Sequence, residues 1–171
     1  MTSKQRFFLG IALILIASIA PAICLVKKIQ FNQDCSGYLK QAADASTVEL
    51  ALDRVDKALD YIEANNLKSG YTSVIYRTED ENVGFWYENI KQCKKELEES
   101  IGGSQLETSN VLMKVRETLT DEGESGTTLT IPEGIWKFPN NTMWAILNGL
   151  SFIFYVFVVF LWCSPTKRRK Y

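Results

Sequence analysis

Two apolar runs bracket a middle that alternates at helical spacing. The first, residues 7–26, holds twenty residues without a charge. At 1.5 Å rise per residue that is roughly 30 Å, one hydrocarbon core. The second, residues 142–163, is also uncharged and carries Trp144, Phe152, Phe154, Tyr155, Phe157, Phe160 and Trp162. A buried core helix does not need 22 uncharged residues, so both runs read as membrane spans.

Between them the pattern predicts helices. The first covers about residues 31–45, with Phe31, Cys35, Tyr38 and Ala42 on one face, and continues the first span outward. Ser46 and Glu49 fit a capping box that opens a second helix, with Val48, Leu52, Val55, Leu59 and Ile62 inward. Asn65, Asn66 and Gly70 mark its end. Residues 67–78, β-branched and aromatic, read as an extended connector packed over the helices. Thr78 with Glu81 and Ser104 with Glu107 form two more capping boxes. They open helices facing inward with Val83, Trp86, Ile90, Cys93 and Leu97, and with Leu112, Val115 and Leu119. From residue 122 to 141, glycines and prolines predict a flexible tether, with Trp136 and Phe138 just ahead of the second span.

The expected fold is therefore mainly α: two transmembrane helices flanking an extracytoplasmic three- to four-helix bundle. Its segments are a short cytoplasmic N-terminus (1–6), span one (7–26), an acidic helical domain (29–121), the tether (122–141), span two (142–163) and a basic tail (164–171).

Charge sets the orientation. All 20 acidic residues lie in residues 29–141, where 11 basic residues leave a net charge of −9. Lys4 and Arg6 precede the first run, and Lys167, Arg168, Arg169 and Lys170 follow the second. The positive-inside rule puts both termini in the cytoplasm and the domain in the periplasm, a lumen or outside. Lys27 and Lys28 dissent and are outvoted. The location expected is a cell membrane, the bacterial inner membrane or its equivalent. A rival reading makes the first run a cleaved signal peptide, with residues 20–22 (Ala-Pro-Ala) as the small-residue site. The domain lies outside on either reading.

Zero histidines exclude imidazole bases, Ser-His triads and His-ligated metals. No phosphate loop, zinc spacing or EF-hand is present, so no catalytic residue, metal ligand or cofactor is expected. A surface of −9 repels phosphate, which argues against nucleic acid as a partner. Cys35 and Cys93 are the two cysteines of the middle region, and both fall on apolar faces. In an oxidising compartment they read as a disulfide, with buried free thiols as the alternative.

Glu49, Asp53, Asp56, Asp60 and Glu63 follow one another at spacings of 4, 3, 4 and 3. This acidic stripe is a docking face for a basic partner or a weak divalent-cation surface, or simply a solvated helix face. Tyr71, Tyr76, Phe85, Trp86 and Tyr87 gather near Glu79, Asp80 and Glu81, a cation or sugar site on one reading and a loop-pinning core on the other. In the spans, Ser18 with Ala22 and Ala145 with Gly149 are small-xxx-small pairs, with Asn148 and Ser151 polar beside them. These suit packing of the spans on each other or on a partner's helices. Neither span holds a charge, which argues against ion or proton relays. Asn140 and Thr142 complete a glycosylation sequon at the membrane surface.

The helical hairpin layout resembles, in general outline, the outer sensing bundles of chemoreceptors. Six residues before the first span and eight after the second leave no room for a signalling module, which argues against a stand-alone receptor. The function expected is a non-enzymatic accessory or assembly subunit, held in membrane lipid and bound to a membrane protein or to itself. The alternatives are an outer ligand-sensing module signalling through a partner, and an oligomeric membrane-permeabilising protein.

Overall fold

In a computed structural model, which describes residues 3–75, 77–123 and 126–163, the chain is mainly helical. Two helices are long and apolar enough to cross a membrane. The fold divides into two compact units, Met1–Val26 with Thr142–Tyr171, and Lys27–Asn141.

Helix α1 (Ser3–Phe31) contains the first apolar run, and α6 (Asn141–Cys163) is the second. Within their unit the least exposed positions follow heptad spacing on both helices. They include Gly10, Leu13, Ala17, Ala20 and Cys24 on α1, with Ile14 and Ser18 beside them, and Trp144, Asn148, Ser151, Tyr155, Val158 and Leu161 on α6. Such a seam is the mark of coiled-coil packing. The pairing is antiparallel. The Phe7 and Trp162 rings stack with centroids 6.2 Å apart. Ser18 meets Tyr155, and Cys24 meets Asn148. Small residues on α1 make room for large ones on α6: a Cβ at Gly10 would lie 2.6 Å from the Trp162 indole nitrogen.

The second unit begins inside α1 and continues through a π-helical segment, Asn32–Ser36, into α2 (Gly37–Ala43). The Gly37 N–H donates to the Asn32 carbonyl, five residues back. That wide turn inserts one residue more than a regular helix holds. The buried face accordingly runs Phe31, Cys35, Leu39 and Ala43, four residues apart, with Ala42 beside them. The sequence pattern, counted at regular helical spacing, had Tyr38 inward. Tyr38 is only half-buried and Leu39 is fully buried, displaced by that extra residue.

A break at residues 44–47 separates α2 from α3 (Val48–Ala64). Thr47 rather than Ser46 caps α3, accepting from the Leu50 N–H at 3.3 Å. The Thr78–Glu81 capping box is present, but it closes a short 3₁₀ turn, Glu79–Glu81. Asn82 then caps α4 (Val83–Glu99) through its side chain to the Phe85 N–H. The Ser104–Glu107 box opens α5 (Gln105–Leu119), as its sequence predicts. Helices α2 to α5 pack around one core, with α3 between α2 and α4, and α5 closing on α2 and α4. Val55, Ile62, Val83, Leu97 and Val115 are completely buried there.

The stretch predicted as a tether folds differently. It holds two antiparallel strands, β1 (Thr120–Gly123) and β2 (Gly126–Leu129), and a 3₁₀ turn, Ile135–Lys137. Ile135 is fully buried in the same core as the helices. Ile135 and its apolar neighbours Ile131, Trp136 and Phe138 lie among glycines and prolines at no helical or strand period, so the pattern passed over them. The 67–78 connector is pinned at Leu67 and Thr72, while Val74 and Ile75 stand exposed.

Ile135→Ala tests the difference between a tether and a packed segment. Removing a fully buried Ile side chain is expected to destabilise the helical domain by about 2–5 kcal/mol, read by urea unfolding of the full chain in mild detergent. An unchanged midpoint would mean that the segment is a tether after all.

Candidate functional site

The acidic stripe of α3 is largely engaged within the unit. Asp53 pairs with Lys57 at 2.8 Å and with Arg54 at 3.5 Å. The Lys57 hydrogen bond holds the Asp53 carboxyl below its ordinary pKa. Asp56 pairs with Lys94 of α4 at 2.7 Å, which raises the Lys94 pKa. Glu63 accepts a 2.8 Å hydrogen bond from the Tyr87 hydroxyl, and that bond raises the tyrosine's pKa. Three of the five acids thus face neighbours of their own chain, two of them across to α4. Glu49 and Asp60 are exposed. Exposed pairs of this kind contribute about 0–1 kcal/mol each. They cancel like-charge repulsion more than they add stability.

The aromatic cluster divides as well. Trp86 and Tyr87 are buried in the core, whereas Phe85 is 65% exposed. The Tyr71 ring lies beneath the Arg77 guanidinium at 5.2 Å. Tyr76 lies outside the described residues. What the structure brings together is a cleft of about 420 Å³ lined by Glu79, Asp80, Phe85, Trp86, Asp121 and Ile131 among others. Its volume falls in the range of small-ligand sites. The contribution of Asp121 and Ile131 was hidden in the sequence, because the hairpin segment folds back beside α4. The arrangement offers carboxylates beside an exposed aromatic ring, which suits a cation with an apolar body.

Cys35 and Cys93 are separate free thiols in the structure, both buried. This departs from the predicted disulfide. Apolar faces on two helices of one bundle are not enough to oppose two cysteines. Cys35 lies near Tyr61 of α3, and Cys93 makes its side-chain hydrogen bond with Thr118 of α5. Burial pushes the Cys35 pKa up to about 12 and that of Cys93 to about 11. Thiols held so far above their ordinary value are poor nucleophiles at neutral pH.

In the apolar unit, Ser18 donates to the Ile14 carbonyl at 2.8 Å, which leaves the Tyr155 hydroxyl to donate to Ser18 at 2.8 Å. Asn148 donates to the Trp144 carbonyl at 2.7 Å and to Cys24 Sγ at 3.5 Å. Ser18 and Asn148 therefore lie at the helix pair's seam. Ala22, Ala145 and Gly149 do not: all three are exposed, and among the described residues nothing beyond its own helix backbone lies within 4 Å of a Cβ placed at Gly149. The seam uses Gly10, Ala17, Ser151 and Val158 instead, a heptad repeat legible in the sequence once small-xxx-small pairs are set aside. Lys4 is exposed at the start of α1, and Lys167, Arg168, Arg169 and Lys170 lie outside the described residues.

No family model matches the chain, and neither the curated proteins nor the solved structures show a match to it.

Iodoacetamide at pH 8 is expected to leave Cys35 and Cys93 unmodified in the folded protein and to alkylate both in denaturant without any reductant. Persistence of an unalkylated pair until reductant is added would restore the disulfide. Both folded pKa values lie above the ordinary 9.0, so the unfolded thiols ionise first. The thiols' contribution to stability is complete below about pH 9 and is lost as the pH rises towards 11 to 12.

Proposed function

We propose that the chain is a small integral membrane protein without enzymatic activity, an accessory or assembly subunit of a membrane complex. Its helical domain lies outside the cytoplasm and both termini lie inside. The observation that carries this reading is the contrast between the two sides of the apolar helix pair. Along the seam Ser18, Tyr155, Asn148 and Ser151 all find hydrogen-bond partners within the pair. The outer faces leave Phe8, Leu15, Phe152 and Phe160 between 65% and 68% exposed. Large apolar side chains uncovered over the length of two helices require lipid or another protein. The basic flanks at Lys4, Arg6 and residues 167–170 support the orientation.

Ala145 and Gly149, open on the outer face of α6, would admit a partner helix at close range. The expected result is co-purification with a larger complex in mild detergent and resistance of the chain to carbonate extraction. Gly149→Leu is expected to abolish the co-purification while carbonate resistance and helical content persist, because a Cβ at Gly149 meets no other described part of the chain within 4 Å. Extraction by carbonate, or an unaltered complex in the variant, would defeat the reading.

A second reading, a ligand-sensing module, is favoured by the acidic–aromatic cleft. It places an organic ammonium ion against Phe85, with Glu79, Asp80 and Asp121 as counter-charges. Tetraethylammonium would serve as probe. It is expected to raise the melting temperature of the full chain, an effect lost in Phe85→Ala. Phe85 is the informative position because Trp86, at 6% exposure, belongs to the core and its removal unfolds the site. No shift at millimolar probe would count against the module.

A further inference from the structure

We propose that a second cavity, built around Lys40 and Arg116, binds a soluble sugar acid: a small molecule with one carboxylate and several hydroxyls. The cavity measures about 680 Å³, within the range of small-ligand sites, and every residue lining it belongs to the Lys27–Asn141 unit. One wall is a polar ridge of every fourth residue: Lys28, Asn32, Ser36 and Lys40. Arg116 of α5, with Thr127 and Thr128 of β2, stands among the remaining lining residues.

The ridge is a product of the π segment. In a regular α-helix twelve residues turn through about 1,200°, which would set Lys28 and Lys40 about 120° apart. One extra residue in the winding takes back about 100°, so the two lysines end within about 20° of each other. Asn32 and Ser36, the first and last residues of that segment, lie between them on the same wall. π-turns inside α-helices are frequent at functional sites.

The charge is opposite to that of the domain around it. The cavity has three basic side chains and one acid, Asp44, in a region whose net charge is −9. The three bases are not equivalent. Lys28 rests 5.0 Å from the centre of the Trp136 ring, a cation–π contact that already engages it. Lys40 forms no ion pair among the described residues. Arg116 lies 3.6 Å from Asp44, an exposed and weak pair, and Asp44 follows Lys40 by one helical turn. At that end of the cavity two bases face one acid, which leaves a single positive charge to neutralise. A carboxylate brings one negative charge and two oxygens that match the guanidinium fork. A phosphate monoester brings about 1.5 to 2 negative charges at neutral pH and sets the surplus against Asp44.

The neutral groups decide the rest of the ligand. The side chains of Asn32, Ser36, Thr127 and Thr128 make no hydrogen bond among the described residues. A ligand hydroxyl both donates and accepts, so it can bond to any of them, and it can donate to Asp44, which as a carboxylate only accepts. A fully ionised inorganic anion offers Asp44 no donor, and an ammonium group meets the net positive charge of the lining. Ser36 and Lys40 are four residues apart, about 6 Å of rise. A carboxylate held at Lys40 and Arg116 therefore leaves the sugar's hydroxyls beside Ser36 and Asn32. Leu129 and Ile131 in the lining offer an apolar surface to the C–H face of the ring.

Full-length protein in mild detergent is titrated with sodium glucuronate, and with glucose and acetate as probes of the hydroxyls and the charge alone. Kd is read by isothermal titration calorimetry. Glucuronate is expected to bind about tenfold more tightly than glucose or acetate, since only it makes the charge-assisted and the hydroxyl contacts together. Arg116→Gln and Lys40→Gln are each expected to weaken glucuronate about tenfold with helical content unchanged. Lys68→Gln, the same charge change at an exposed position outside the cavity, is expected to leave its affinity as it was. Ser36→Ala is expected to weaken glucuronate about fivefold and to leave acetate unaffected. No measurable binding of glucuronate, equal affinity for all three probes, or equal weakening in the Lys68 variant would overturn the proposal. So would tighter binding of glucose 6-phosphate, pointing to a phosphorylated ligand, or of glutamate, pointing to an amino acid. The site draws on neither the membrane reading nor the orientation, and carbonate extraction of the same preparation tests the former by itself.

Discussion

One extra residue in the helical winding at Asn32–Ser36 governs what the first helix presents to everything around it. At regular spacing, the apolar row from Phe31 and the polar row from Lys28 would both rotate away from their partners within three turns. The wide turn holds both rows straight. Phe31, Cys35, Leu39 and Ala43 then stay on the bundle core, and Lys28, Asn32, Ser36 and Lys40 stay along one cavity wall. A regular helix would keep neither row in line over that length. The core fixes one side, and the cavity wall is its geometric consequence on the other.

The two units bury their contacts by different physics. In the apolar pair, water exclusion gives little discrimination between faces, since nearly every side chain is apolar. Size and hydrogen bonding select the seam: Gly10 faces Trp162, Ser18 meets Tyr155, and Asn148 meets Cys24. In the helical unit, polarity selects the faces. Capping side chains at Thr47, Asn82 and Ser104 set where each helix starts, and cross-helix pairs such as Asp56 with Lys94 absorb the crowding of acids on α3. An acidic surface that pairs internally is a less available docking face than its composition implies.

Chemically, the features left over are three. Apolar outer helix faces look for lipid or protein. The cleft beside Phe85 has carboxylates and an aromatic ring, and the cavity beside Lys40 has bases and hydroxyls. All three are binding features, and the thiols are buried and held protonated. The proposed accessory role accounts for all three without requiring a reaction.

Much of this was legible in the sequence, for a physical reason: hydrophobic periodicity and capping chemistry are local. They marked the two long apolar helices, the break before α3, and the inner faces of α4 and α5 at Trp86, Ile90, Cys93, Leu97, Val115 and Leu119. Local signals also erred by small amounts, moving the α3 cap by one residue to Thr47 and turning the Thr78 box into a 3₁₀ turn. What the tertiary structure alone decided was which faces meet. It put Leu39 rather than Tyr38 in the core, drew Ile135 out of an apparent tether, and gave Cys35 and Cys93 different neighbours. It brought Asp121 beside Phe85 and Arg116 to the cavity of Lys28 and Lys40. Periodicity gives each residue an angle about its own helix axis. Only packing gives that angle a partner, and a single added residue in one turn changes the angle for every residue after it.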